Sequence, residues 1–190
     1  KSVTLKNGVE SIGSNAFENC TSLVTINIPD SVTTIGPFTF KGCTSLKNVN
    51  LGNGVECIDS YAFEKCTSLV TINIPDSVTT IRYYVFDGCT SLKSVTLGKS
   101  VVYIGFYAFK NCTSLDTVIL PNSLQTIGES TFYGCTEIYE IEIPENVTSI
   151  EDYAFANGLN DNPASWSFEE MAAYIKEKGI TLEEFVELYK

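Results

Sequence analysis

The sequence predicts a repeat solenoid whose short strands stack into parallel sheets, and two observations support this fold class. The sixteen residues CTSLVTINIPDSVTTI at 20–35 recur unchanged at 66–81, and looser copies surround them in one register of 23 residues. Apolar residues repeat at the same period, most strictly in the column Phe17, Phe40, Phe63, Phe86, Phe109, Phe132 and Phe155. In an array of this kind each unit buries its apolar side against its neighbours.

Each unit is predicted to contain two extended pieces and a turn. The segment LVTINIP ends in alternating β-branched residues followed by proline, which indicates a short strand. The segment SVTTIG is a second extended piece, and the following pattern AF-x-x-C predicts a tight turn of 3₁₀ type. Strands of successive units would pair in parallel, about 4.8 Å apart. We therefore expect a solenoid of about seven 23-residue units over residues 1–157.

The last part of the chain departs from the repeat. Gly158 stands where the next cysteine is expected, and a loop is predicted over 158–166. Residues 167–190 carry two runs with apolar residues at helical spacing, and Gly179 between them suits the end of the first helix. Capping boxes open both runs, at Ser167 with Glu170 and at Thr181 with Glu184. This segment is predicted to form a two-helix cap that covers the end of the solenoid.

Composition excludes several classes of function. The chain of 190 residues contains no histidine, which removes Ser-His-Asp and Cys-His catalysis and ordinary zinc sites. Fourteen acidic residues against three lysines over 129–190 carry the whole net charge of −11. A chain with an acidic end and no basic patch is not expected to bind nucleic acid or anionic membranes. No apolar run is long enough for membrane insertion.

Six of the seven cysteines recur every 23 residues, at Cys20, Cys43, Cys66, Cys89, Cys112 and Cys135. This spacing matches neither a C-x-x-C metal pattern nor a small disulfide scaffold. We interpret the column as small buried apolar side chains with reduced thiols rather than a redox or metal row. Cys57, which is out of register, is expected to face solvent and to be oxidisable. No catalytic, cofactor-binding or metal-binding residues are predicted.

The pattern C-T-S-L-x-x-I-x-I-P-x-S-V-T-x-I-G-x-x-A-F resembles the BspA-like (Treponema pallidum type) leucine-rich repeat over about residues 1–157. The resemblance implies an α/β repeat solenoid of the leucine-rich-repeat class, mainly β, with a right-handed coil. It also implies a secreted or cell-surface protein, often one that mediates adhesion and contacts with a host or its matrix. A ligand does not follow from the resemblance, because function depends on the surface carried by the fold.

Two surfaces are candidates for binding. The first is aromatic and centres on units two to five, with the members Phe38, Tyr61, Tyr83, Tyr84, Tyr103, Phe106 and Tyr107. Partly exposed tyrosines suit protein or sugar partners, although the rings could instead pack over the turn. The second is the outward side of the first strand, with the members Thr25, Asn27, Asn48, Asn50, Thr71, Asn73, Ser94 and Thr96. These small polar side chains could bind a partner or only solvate the sheet.

The sequence therefore favours a non-enzymatic extracellular or cell-surface module that binds a protein or glycan, without a cofactor. Two alternatives remain open: a structural spacer that displays other domains, and an accessory carbohydrate-binding region of a secreted enzyme. The first unit begins inside a strand at Lys1–Leu5 and lacks the preceding C-T-S-L. We therefore expect a fragment of a longer array, with end-to-end self-association through this uncapped N-terminal repeat.

Overall fold

The computed structural model describes residues 1–138 and 141–156, together with residues 175, 176, 179 and 181. Over these residues the chain winds as a parallel β-solenoid of about six turns. Each turn places two short strands on neighbouring sides of the coil, separated by the Pro-Asp-Ser type of bend and closed by a longer turn. The predicted solenoid is therefore confirmed.

The strands are of two lengths. Three-residue strands come first in each unit: β1 (Ser2–Thr4), β3 (Thr25–Asn27), β5 (Asn48–Asn50), β7 (Thr71–Asn73), β9 (Ser94–Thr96) and β11 (Thr117–Ile119). Two-residue strands follow: β2 (Ser11–Ile12), β4 (Thr34–Ile35), β6 (Cys57–Ile58), β8 (Thr80–Ile81), β10 (Tyr103–Ile104), β12 (Thr126–Ile127) and β13 (Ser149–Ile150). The two strands of each unit correspond to the two extended pieces predicted from the sequence.

Successive units pair in parallel with Cα partners 23 residues apart, as in Ile12↔Ile35 and Ile104↔Ile127. The two-residue strands form one seven-stranded sheet in the order β13-β12-β10-β8-β6-β4-β2. The three-residue strands form two separate sheets, β1-β3-β5 and β11-β9-β7. The longest continuous sheet is thus built from the shorter strands, and each of them carries a buried isoleucine at its end.

The core consists of columns that run along the solenoid. Successive phenylalanines stack face to face, with ring centroids 5.1–5.5 Å apart from Phe17 to Phe155. Beside them lie the valine and isoleucine columns, in which Val55, Ile58 and Val78 are fully buried. Each side chain therefore packs mainly on its own equivalents in the units before and after it.

The predicted tight turn after the second strand is present, with hydrogen bonds of 3₁₀ type but without a continuous 3₁₀ helix. Hydrogen bonds of the i to i−3 type join Ala16 N to Gly13 O and Glu18 N to Asn15 O, but Asn15 has a φ of 60° and Asn19 a φ of 56°. Left-handed residues interrupt a helical backbone, so the segment is a series of β-turns. The intervening amides of Asn15, Phe17 and Asn19 instead donate to the following unit.

The predicted loop over 158–166 and nearly all of the predicted two-helix cap over 167–190 lie outside the described residues. At two positions that are described, Ile175 and Lys176, the backbone is helical. Ile175 packs partly buried against the core, and Lys176 Nζ donates to Glu145 O over 3.0 Å. The cap itself remains a prediction. In the part of the chain that the structure describes, no helix is long and apolar enough to cross a membrane.

Candidate recognition surface

Four members of the aromatic surface form one continuous stack, which we call the aromatic column: Phe38, Tyr61, Tyr84 and Tyr107. Their ring centroids are 4.8–4.9 Å apart and their planes differ by 7–17°. All four side chains are half-buried. Because each inner ring has a neighbour on both faces, the column presents ring edges and tyrosine hydroxyls to solvent rather than open ring faces.

The backbone of the aromatic column is unusual. Phe38, Tyr61, Tyr84 and Tyr107 have φ values between 56° and 63°, in the left-handed region that bulky side chains rarely adopt. At the next left-handed position of each turn the chain mostly uses residues that tolerate it, namely Gly42, Gly88, Gly134, Asn19 and Asn111, with Lys65 as the exception. The rings are therefore held in place despite a local backbone cost, by stacking and by the hydrogen bonds of the turn.

A second pair of rings lies beside the column. Tyr83 and Phe106 have centroids 4.4 Å apart at a tilt of 38°, and Phe106 meets the edges of Tyr84 at 5.1 Å and of Tyr107 at 5.4 Å. The backbone at Gly105 makes room for this cluster, since an added Cβ would lie 2.9 Å from Tyr83 Cδ1. Tyr83 is 45% exposed, the largest exposure within the predicted aromatic set.

The structure thus brings six of the seven predicted aromatic residues into one connected group. Tyr103 lies on β10 at the edge of this group, three residues before Phe106. Burial is the main cause that raises the pKa of the Tyr103 phenol, and the nearby Glu151 and Tyr83 add to it. In the last unit, Tyr153 has the same left-handed φ and is 62% exposed, but the buried Ser130 separates it from the column.

A row of charged residues lies three positions after the aromatic column in each repeat, and it was not identified from the sequence. Its members share one position of the repeat: Glu18, Lys41, Glu64, Asp87 and Lys110. Lys41 Nζ lies 2.8 Å from Glu64 Oε2 and 5.2 Å from the Phe38 ring centroid. Lys110 Nζ lies 4.6 Å from the centroid of Tyr107. Aligning the repeats and reading the position after each core phenylalanine would have found this row.

The electrostatics of this row follow from burial and pairing. Glu64 is only 6% exposed, and its hydrogen-bonding contact with Lys41 is the main cause that raises the Lys41 pKa. Burial raises the pKa of Asp87, although Lys110 opposes the shift. Burial also raises the pKa of Tyr84, with smaller effects from Tyr61, Tyr107, Asp87 and Glu129. The surface formed by the turns therefore combines partly buried charged side chains with aromatic rings.

The second predicted surface lies on a different side of the coil. Its side chains leave the three-residue strands β3, β5, β7 and β9, and are exposed except for the half-buried Thr25 and Ser94. Asn50 Nδ2 donates to Asn27 Oδ1 over 2.7 Å, so these two amides bond across neighbouring strands. This bond uses part of the hydrogen-bonding capacity of these two amides, which leaves fewer of their groups for a partner.

Five of the six periodic cysteines are buried as predicted, but Cys20, which was also expected in the buried column, is exposed in the first described unit. In five units the buried thiol donates to the carbonyl of the phenylalanine one unit earlier, for instance Cys66 Sγ to Phe40 O at 3.2 Å. Cys20 is exposed, and Cys57 is half-exposed beside Arg82 and Asp59. Among the described residues, no group of three or more acidic or cysteine side chains is arranged to hold a metal ion.

The stacked strands and periodic apolar columns define a leucine-rich-repeat solenoid. The sequence model of one family, described as "BspA type Leucine rich repeat region (6 copies)", matches residues 1–86 and 56–178. This chain therefore belongs to the BspA-type leucine-rich-repeat family. No curated protein matches the sequence.

Solved structures support the same fold. A leucine-rich repeat protein from Bacteroides ovatus is 34% identical with a TM-score of 0.77, over 82% of this chain and 43% of that chain. The Treponema pallidum leucine-rich repeat protein is 38% identical with a TM-score of 0.75, over 78% of this chain and 72% of its own. A third, from Eubacterium ventriosum, is 20% identical with a TM-score of 0.55 and shares the fold alone. The match to the first covers less than half of that protein's length.

Proposed function

We propose that this chain is a non-enzymatic recognition module that binds a protein through its aromatic surface. The observation that carries the proposal is the connected group of half-exposed rings from Phe38 to Tyr107, with Tyr83 and Phe106 beside it. Tyrosine and phenylalanine are enriched in protein interfaces because they offer large apolar area with little loss of side-chain entropy. Inter-unit backbone hydrogen bonds hold these rings in fixed positions, so binding orders few groups.

Protein is favoured over glycan as the partner because of how the rings are arranged. Sugars stack their apolar face on an open aromatic face, whereas the inner rings of the aromatic column cover each other at 4.8–4.9 Å. A protein partner can use the exposed edges and the hydroxyls of Tyr61, Tyr84 and Tyr107 as well. The surface therefore suits side chains of a protein better than sugar rings.

The proposal is tested by measuring binding of the chain to a panel of purified extracellular-matrix proteins and glycans. The test variant replaces Tyr61, Tyr84 and Tyr107 with alanine, and a matched control replaces Asn27, Asn50 and Asn73 with alanine on the other side of the coil. We expect a protein ligand whose binding is lost in the first variant and kept in the control. The reverse result would move the site to the Thr/Asn surface, and no binding at all would favour a spacer.

A location outside the cell or on its surface is part of the proposal and is supported by membership of the BspA-type family. It can be checked on the parent protein in its native cells. Brief protease treatment of intact cells should remove the repeat region without prior lysis of the cells. Protection in intact cells together with cleavage after lysis would contradict this location.

We also propose that the isolated 190-residue chain associates end to end. Strand β1 is the outer strand of its sheet, and Val3 within it and Leu5 just after it are only half-buried. An edge strand of this kind offers backbone groups to a second chain. Sedimentation velocity should show a mass that rises with concentration, and a proline at Val3 should reduce it. A strictly monomeric chain at every concentration would contradict the proposal.

A further inference from the structure

The aromatic pair of the exposed Tyr83 and the half-buried Phe106 stands at a boundary in surface charge. Along the same position of the repeat, the residues before the pair are Ser14, Pro37 and Ser60, and those after it are Glu129 and Asp152. Glu129 and Asp152 are exposed, and so is Glu151. Phe106 therefore has an aromatic neighbour on one side and a solvent-exposed carboxylate one unit further along.

The carboxylates are held close to the rings. The amide of Glu129 donates to Glu151 Oε2 over 3.0 Å, which turns the Glu151 side chain back toward the preceding unit. The negative charge of Glu129 contributes to the raised pKa of Tyr84, and that of Glu151 to the raised pKa of Tyr103. Burial is the larger cause in both phenols, but the added effect places both carboxylates within electrostatic range of the aromatic surface.

Among the described residues, the basic side chains Arg82 and Lys110 are engaged by other groups of the chain. Arg82 Nε lies 3.7 Å from Asp59 Oδ1 and also contacts Cys57. The positive charge of Arg82 is therefore paired with Asp59 of the preceding unit. Lys110 lies against the rings of Tyr107 and Tyr133. These lysine contacts also show that cations pack against rings of this surface, as Lys41 does against Phe38 at 5.2 Å.

We infer that the corner formed by Tyr83, Phe106, Glu129 and Glu151 binds a cationic segment of a protein partner, with a lysine or arginine side chain against the Phe106 ring. A ring face supplies the attraction to the cation and the two carboxylates supply its ionic partners, a combination that also discriminates against acidic segments. The inference rests on the proposed function, since it names the partner chemistry for the same aromatic surface. It goes further by placing the specificity in the carboxylates of units six and seven.

The probe is a fluorescein-labelled peptide of alternating glycine and arginine, and its matched control carries citrulline, which has the same shape without the charge. Binding to the 190-residue chain is measured by fluorescence anisotropy at two salt concentrations. We expect the arginine peptide to bind at least about tenfold more tightly than the citrulline peptide, which corresponds to about 1.4 kcal/mol. The difference should shrink at high salt, because exposed charges are screened.

Two pairs of charge-neutralising substitutions separate the site from the net charge of the chain. Glu129→Gln with Glu151→Gln should weaken arginine-peptide binding about tenfold, roughly the loss of one good ionic contact. Glu142→Gln with Glu145→Gln removes the same charge elsewhere and should change binding less than about twofold. Equal effects of the two pairs would overturn the inference, and so would equal binding of the two peptides.

The aromatic contribution is tested with Phe106→Leu, which keeps an apolar side chain at this position. We expect weaker binding of the arginine peptide, with a far-UV circular dichroism spectrum at the temperature of the binding assay that matches the parent chain. If the protein panel shows binding that depends on the aromatic column but not on Glu129 and Glu151, the proposed function stands and this inference fails. If neither peptide nor protein depends on the aromatic residues, both fail.

Discussion

Cys89 Sγ donates a hydrogen bond to Phe63 O over 3.2 Å, and this contact repeats along the solenoid at four further cysteines. The same carbonyl already accepts the amide of Cys66 at 3.1 Å. Each thiol therefore joins two units without forming a disulfide. This explains why the position holds cysteine, which is small, apolar and still a weak donor.

Thiol reactivity should follow this pattern. Under native conditions at pH 8, we expect iodoacetamide to modify the exposed Cys20 and the half-exposed Cys57. The five buried cysteines should stay unmodified, because a thiol must ionise and be accessible to react. Peptide mapping by mass spectrometry measures this, and a urea-denatured sample in which all seven react is the control. Early modification of Cys89 would show that the column is not protected.

Alkaline pH should destabilise the chain through its buried thiols. Burial raises the pKa of the Cys43 thiol to about 11, and it also raises those of Cys66, Cys89 and Cys112, against 9.0 for an ordinary thiol. Above pH 9 the unfolded chain releases these protons while the folded chain keeps them. The contribution of these thiols to the free energy of unfolding is therefore fully present below pH 9. Above pH 9 the free energy of unfolding falls by about 1.4 kcal/mol per pH unit for each such thiol.

The measurement is urea unfolding between pH 8 and pH 10 in a reducing buffer. A Cys89→Ala variant is the control, and its plot of unfolding free energy against pH should be shallower than that of the parent chain. Comparing slopes rather than absolute values removes the packing loss of the substitution. Parallel plots for the two proteins would mean that Cys89 ionises equally in both states.

The pair Lys41 and Glu64 should contribute measurably to stability. Lys41→Met leaves the buried Glu64 carboxylate without the cation at 2.8 Å, and we expect a loss of about 2 kcal/mol in the free energy of unfolding. Lys65, whose side chain is 64% exposed and 3.6 Å from Glu64 Oε1, is the matched control. Lys65→Met should cost less than about 1 kcal/mol. Urea titrations compare the two, and a larger effect at Lys65 would contradict the assignment.

Backbone strain in the aromatic column can be measured at Tyr84, where φ is 56°. Both Tyr84→Ala and Tyr84→Asn remove the stacking on Tyr61 and Tyr107, but asparagine tolerates the left-handed region and alanine does not. We expect the asparagine variant to be the more stable of the two by about 1 kcal/mol in thermal or urea unfolding. Equal stability would show that the backbone there relaxes when the ring is removed.

Much of the fold was predictable because one physical rule repeats. A 23-residue period with apolar residues at fixed positions leaves only stacking of units as a way to bury Phe63 or Ile58, and the structure shows both fully buried. The parallel pairing with Cα partners 23 residues apart follows from the same period. The candidate aromatic residues were also visible as a column, although their ring-on-ring geometry was not.

The tight turn was predicted, but its left-handed residues and its hydrogen bonds to the next unit could not be derived from local pattern. Its backbone depends on amides that bond to the next unit, such as Phe40 N to Ala62 O at 2.8 Å, and these partners are distant in sequence. The separation of the three-residue strands into two sheets and the burial of Glu64 also arise only when the units are stacked. Sequence spacing assigns positions to a column but does not say which neighbours satisfy their polar groups.

The sequence by itself determined the solenoid, its period and the identity of the core columns, because burial of apolar side chains at a fixed spacing admits one arrangement. Only the tertiary structure decided which aromatic faces are covered and which carboxylates stand next to them. Tyr84 is flanked on both faces by Tyr61 and Tyr107, whereas Phe106 is followed along its repeat position by the exposed Glu129. These contacts join residues of different units, so they depend on the stacking distance and side-chain directions rather than on local sequence.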